Sequence, residues 1–364
     1  MNREVFYIAG FDPRSPKYYY SIFKHNATKT SKIDSNSLFV SKLENNSFDI
    51  SYKNCNIKYN FLDWSDITKA HFHKTFLSVF YSLVLFLKYY FFSKVHYKII
   101  KHSRTQLIAG YYPLFFITLS YSLVFGILTI LYNCFSWNLY LFLAVFSIAF
   151  LISTKIIFSI GNRVGIFWLL SIYIFCCKYA KGDISGMSER NMEFALKIVD
   201  SLRKNSKDEI LLVSHSVGTI LAISVAALVV KICKEQNISM DKLKLVTLGS
   251  CVPLTSLQKC ALNFKQDLTI LSKTNLIWLD FTSKIDGACF FMFDFVKIAD
   301  IKAKFKPRYI SVGFYRLYTK ESYKKIRYKW YQVHFLYLKA TEIDAGYDYF
   351  YLICDSKKLE NKIF

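Results

Sequence analysis

The run Asp208-Glu-Ile-Leu-Leu-Val213 passes directly into Ser214-His215-Ser216-Val217-Gly218 and then into small and apolar residues, Thr-Ile-Leu-Ala-Ile-Ser-Val-Ala. An apolar strand, a small-x-Ser-x-Gly turn and a small-residue helix, in that order, are the context of a nucleophile elbow. The turn is so tight that its flanking positions must be small, and it lifts the serine hydroxyl clear of the sheet. The helix that follows offers backbone N–H groups and the positive end of its dipole to a developing oxyanion. The chemistry predicted is nucleophilic attack by Ser216.

The elements needed to hold such a turn are legible on both sides of it. Residues 4–9 read as a short apolar strand ending at Gly10, and 47–59 as a strand pair. Apolar Met192, Leu196, Val199 and Leu202 recur at helical spacing over 189–202, and Arg203, Lys204 and Asn205 close that helix. Residues 209–213 form a buried strand, 217–232 a helix, and 243–248 and 275–279 further strands. Strands interleaved with helices after residue 189 predict an α/β fold with a mostly parallel sheet.

A different pattern interrupts this alternation. The 50 residues between Arg104 and Lys155 contain no Asp, Glu, Lys, Arg or His. One bilayer crossing takes ~20 apolar residues, so 105–158 predicts a transmembrane helical hairpin, with spans near 112–131 and 139–157 joined by a turn at 133–138. Lys88, Lys94, Lys98, Lys101 and Arg104 precede it, Lys155, Arg163, Lys178 and Lys181 follow, and the turn is uncharged. The positive-inside rule puts both flanks on the cytoplasmic side. Apolar stretches at 76–92 and 164–179, bordered by Lys and Arg and rich in aromatic residues, read as interfacial or packing helices, with a full span open to either. The expected organisation is residues 1–100 and 181–364 as one domain, with the hairpin and an interfacial helix at 159–180 inserted between them.

Composition agrees with a membrane protein. The chain has 364 residues, 53% hydrophobic, with 34 Phe and 27 Tyr and a formal charge of +22. Its nine cysteines form no CxxC pair and lie mostly in apolar runs, which argues against a disulfide framework and a zinc site and for a reducing compartment. The apolar run at 5–9 is too short for a secretory signal. Residues 302–329 carry ten basic residues against one acid, Glu321, interleaved with Tyr and Phe. With no nucleic-acid fold signature beside it, that surface is expected to meet anionic lipid headgroups rather than nucleic acid.

At the elbow the sequence resembles the α/β-hydrolase superfamily, with Ser214 where the usual pentapeptide begins with Gly. The resemblance implies the order Ser, then Asp or Glu, then His. Of seven histidines only His334 follows the elbow, and the resemblance makes it the general base. For the acid it favours Asp286, in the loop beyond the strand 275–279, over Asp280 at the strand end, with Asp294 third. A second oxyanion donor is expected from the loop after the first strand, so the hole is assigned to Val217 and Phe11, with Gly10 admitting close approach of a carbonyl. Arg14 reads equally as an exposed structural residue and as a charge for a substrate carboxylate or phosphate. Gly10-Phe-Asp-Pro-Arg14, Trp278-Leu-Asp280 and Tyr331-Gln-Val-His334-Phe-Leu-Tyr337 are similar to segments of a group of bacterial integral-membrane hydrolases. That likeness implies an esterase- or lipase-like serine hydrolase of a bacterial inner membrane, with a hairpin between the first strands and the elbow, and it implies no substrate. The anchor and the basic-aromatic surface point instead to a lipid-like or amphipathic ester, and the charged flanks to a cytoplasmic hydrolase domain; the triad chemistry calls for no cofactor. An acyltransferase of the same fold and an inactive hydrolase-like membrane module are the other readings.

Overall fold

A computed structural model describes residues 1–73, 75–135 and 137–364, and divides the chain into two units: Met1–Ala70 with Phe175–Phe364, and His71–Ile174. The first unit is built on an eight-stranded mixed sheet: β1 (Asn2–Ile8), β2 (Leu38–Val40), β3 (Ser47–Tyr52), β4 (Cys55–Phe61), β5 (Glu209–His215), β6 (Leu243–Leu248), β7 (Ile277–Thr282) and β8 (Arg308–Ser311). The spatial order is β2-β3-β4-β1-β5-β6-β7-β8. Only β2–β3 and β3–β4 are antiparallel; the other pairs are parallel.

Sequence pattern explains each strand's place. β5 is buried at every position, as a strand covered on both faces must be. β3 and β4 alternate buried and exposed residues, as one-sided strands do. On one face, Phe23 of the helix Pro16–Ala27 meets Phe48 and Phe350, with ring centroids 5.3 and 5.1 Å away. The elbow helix Gly218–Glu235 lies against β1, β5 and β6, beside the helices Met187–Lys204 and Leu262–Ser272. Arg3 of β1 pairs with Glu209 of β5 at 2.7 Å, both side chains fully buried, and its guanidinium also donates to the carbonyls of Ile353, Asp355 and Lys357.

The chain leaves β1 toward β2–β4 but leaves β5 toward β6–β8. The carboxyl ends of β1 and β5 therefore flank a topological switch point, where open parallel sheets form their crevices.

The second unit holds two helices long and apolar enough to cross a membrane, Arg104–Cys134 and Leu139–Arg163. At 31 and 25 residues they run about 46 and 37 Å, longer than a ~30 Å hydrocarbon core. Tyr121 donates to Thr154 across the pair at 3.1 Å, and Phe125 packs on Phe146 at 5.7 Å. Both helices extend beyond the expected spans. Of the expected turn at 133–138, Ser136 lies outside the described residues. The stretch 76–92 becomes Phe76–Phe92, bent by 68° against Val95–Lys101, and would make a third span if the bent pair crosses as one.

Two boundaries differ from the sequence expectation. The sheet-bearing unit ends its first segment at Ala70 rather than near 100. The helix expected to lie at an interface over 159–180 begins at Ile166, and most of its residues are buried. It is a packing helix, and the carbonyl of Cys176 accepts from Thr255 at 3.2 Å.

Candidate active site

Ser216 owes its conformation to the geometry on either side of it. β5 is fixed by parallel pairing to β1 and β6, with Ser214 opposite Ile8 and Thr247, and the elbow helix must turn back over the same strands. The single residue that absorbs this reversal is Ser216, at φ 58. Eight other described non-glycine residues have positive φ, and all are exposed; Ser216 is 4% exposed. Such a conformation costs on the order of 1–3 kcal/mol and persists where the surroundings over-determine it. They do so here. A Cβ on Gly218 would lie 2.4 Å from the Ala9 carbonyl oxygen, and one on Gly10 would lie 2.9 Å from the Ser216 Cβ. Ser214, two residues before Ser216, is fully buried, and its hydroxyl donates to the Val246 carbonyl at 3.3 Å. The Ser216 amide donates to Leu248 at 2.9 Å, and its carbonyl accepts from the Thr219 hydroxyl at 2.6 Å.

His334 ends the short helix Trp330–His334 and is 1% exposed. Its Nδ1 lies 2.9 and 3.0 Å from the two carboxylate oxygens of Asp286. A carboxylate accepts, so Nδ1 carries a proton, and in the neutral ring Nε2 is the nitrogen with the lone pair. Nε2 is buried with no hydrogen-bond partner. Asp286 also accepts from the Ala288 amide at 3.0 Å. Burial alone would raise its pKa, but His334 beside it and that amide hold the carboxyl below its ordinary value.

The stretch after β6 runs between these two groups. Gly249 has φ +59, and a Cβ there would stand 3.3 Å from both Asp286 Oδ2 and His334 Cε1. Two residues on, the Cys251 Sγ lies 3.8 Å from the Ser216 Oγ. Burial pushes that thiol up to about 12, so it stands beside the serine as a neutral thiol.

The three candidate acids separate cleanly. Asp286 meets His334. Asp280 lies inside β7, which runs to Thr282 rather than stopping at 279; its carboxyl accepts from the Thr247 hydroxyl, and burial pushes it up to about 7. Asp294 caps a surface helix through the Lys297 amide at 2.9 Å and pairs with Lys306 at 3.2 Å.

Gly10 and Phe11 follow β1 as expected, and Val217 stands at the N-terminus of the elbow helix. The Phe11 ring is 1% exposed and packs 5.1 Å from Phe175 and 6.2 Å from Trp64. Arg14 is engaged by Asp12, which accepts from its Nε at 2.8 Å, and by the Tyr331 hydroxyl; it lies 3.7 Å over the Tyr18 ring. Its positive charge is thus met within the fold. Among the described residues, no cluster of three or more His, Cys, Asp or Glu is placed to hold a metal ion.

The sequence does not single out Gly249, Cys251 or His215: each meets its neighbours at the site across strands, and none carries a local pattern that marks it. Compared with known proteins, the chain matches no family model, no curated protein and no solved structure.

Proposed function

We propose that this chain is a membrane-anchored serine hydrolase of the α/β-hydrolase kind, cleaving an ester by way of an acyl-enzyme. One observation carries the reading. Ser216 is the single buried non-glycine residue held at left-handed φ among those described, and it sits at the sheet's switch point. The Asp286–His334 pair supports it, because it fixes Nδ1 as the donor and so makes Nε2 the basic nitrogen of the neutral ring.

In the proposed reaction Nε2 takes the Ser216 proton as Oγ attacks the ester carbonyl. Asp286 holds the tautomer and stabilises the imidazolium. The Val217 and Phe11 amides, beside Gly10, receive the oxyanion. Collapse expels the alcohol, which takes its proton from Nε2, and water then cleaves the acyl-enzyme with the same base.

The apolar hairpin and its basic flanks support an anchor with both flanks cytoplasmic. All ten basic side chains over 302–329 are exposed, with Tyr315 and Tyr328 exposed among them and Trp330 exposed just beyond. That surface suits anionic headgroups and an amphipathic, lipid-like ester.

The test is labelling of the membrane-embedded protein with a fluorophosphonate. Wild type should label once per chain, and both Ser216→Ala and His334→Ala should abolish it. A folded wild type that does not label, or labelling that survives Ser216→Ala, would overturn the proposal.

A further inference from the structure

We infer that His215 is a positioning residue for His334, and this rests on the hydrolase reading above. His215 Nε2 lies 2.8 Å from the His334 backbone carbonyl oxygen. A carbonyl only accepts, so Nε2 carries the proton and Nδ1 is left with a bare lone pair. Nδ1 is buried without a hydrogen-bond partner. Packing gives no reason for that arrangement, since an apolar side chain of similar size would fill the space without stranding a polar atom. The imidazole is explained by what Nε2 does.

What it does is join two parts of the site. His334 stands at the end of its helix, where backbone carbonyls lack partners within the helix. His215 satisfies the carbonyl of the very residue whose side chain is the proposed base. The two imidazole centroids are 4.7 Å apart, and Phe335 and Tyr337 close around His215 at 5.3 and 6.1 Å. The backbone of His215 is the last residue of β5, immediately before Ser216. One side chain therefore ties the strand that carries the serine to the helix that carries the base. Burial first, and then the adjacent His334, push the His215 pKa down to about 3, so His215 stays neutral and does not compete for the proton His334 receives.

The test compares fluorophosphonate labelling rates of the full chain in its membrane for His215→Leu and His215→Gln. The glutamine amide nitrogen reaches the position of Nε2 and keeps the donor; leucine keeps only the bulk. His215→Leu should label at least tenfold more slowly than wild type but to the same end point, and His215→Gln should stay within about threefold. A merely structural role would lower the fraction labelled and leave the rate per folded molecule unchanged, with no rescue by glutamine. Should the leucine variant fail to fold, His215→Asn takes its place. Its amide overlays Nδ1, falls short of the carbonyl, and should label at least tenfold more slowly than His215→Gln. Equal rates in either comparison would overturn the inference while the hydrolase reading stands. A wild type that does not label would overturn both.

Discussion

Asp280, in β7, and Asp286, in the loop beyond it, are 1% and 2% exposed, yet their surroundings drive them in opposite directions. Burial raises the pKa of any carboxyl. The side chains that support the Asp280 carboxylate are the hydroxyls of Thr247 and Ser250, which do not offset burial, and it rises to about 7. Asp286 is just as deep, but an imidazole and an amide face it, and it falls below its ordinary value. Depth does not set the charge; the partner does. Of the two, only Asp286 is equipped to orient a base and to stabilise it once protonated.

The largest effect should separate them by rate. Asp286→Asn should slow fluorophosphonate labelling by about 10³–10⁴-fold, because an amide presents the wrong hydrogen-bonding group to Nδ1. Asp280→Asn should leave the rate within a few-fold. Equal losses would break the comparison.

Stability against pH should sharpen it. The folded pKa of Asp280, about 7, lies above its ordinary value of 3.8. The folded state thus holds a proton that the unfolded state releases. The stability from that group is complete below pH ~4 and is lost as pH rises to ~7. Asp280→Asn has nothing to ionise, so it should gain on wild type across that window by on the order of 2–4 kcal/mol, then stay level. For Asp286 the sign reverses. Its folded pKa is depressed, so its contribution is present above pH ~4 and is lost as pH falls below that. Denaturant unfolding at fixed pH values reads both, and a gap between Asp280→Asn and wild type that does not change from pH 4 to 7 would refute the account of Asp280.

A smaller effect is expected from Gly249→Ala. The added methyl would meet Tyr337 at 2.9 Å and crowd Asp286 and His334 at 3.3 Å, at a backbone φ of +59. Labelling should slow by about 10–100-fold, with the pH dependence assigned to Asp280 unchanged. A labelling rate equal to wild type would show that this close packing does not hold the pair in place.

Local pattern revealed much of this and missed the rest for definable reasons. β6 was legible to the residue, because a run buried on both faces needs no partner to be recognised. The hairpin was legible because a long uncharged stretch has few other uses. The end of β7 was not legible. It runs on to Thr282 because Asp280 and Phe281 pair with Thr247 and Leu248 of β6, and because β8, a four-residue edge strand hidden in the basic run, pairs on its other side. That pairing on both sides holds Asp280 in the sheet, while Asp286 lies beyond its end. His215 looked like the free position of its motif, and only the folded chain brings it to a carbonyl 119 residues away.

The ion pair of Arg3 has a consequence for the order of events during synthesis. Its partner Glu209 lies 206 residues downstream, a delay of roughly 10–40 s at ribosomal rates. Until then β1 waits with one edge bare while the apolar hairpin is being made, and exposed edges invite unwanted pairing. The carbonyls of Ile353, Asp355 and Lys357, which complete the guanidinium's partners, come last of all. A nascent chain that stalls before them leaves a buried cation only partly satisfied, so the guanidinium is fully met only after residue 357 has been made.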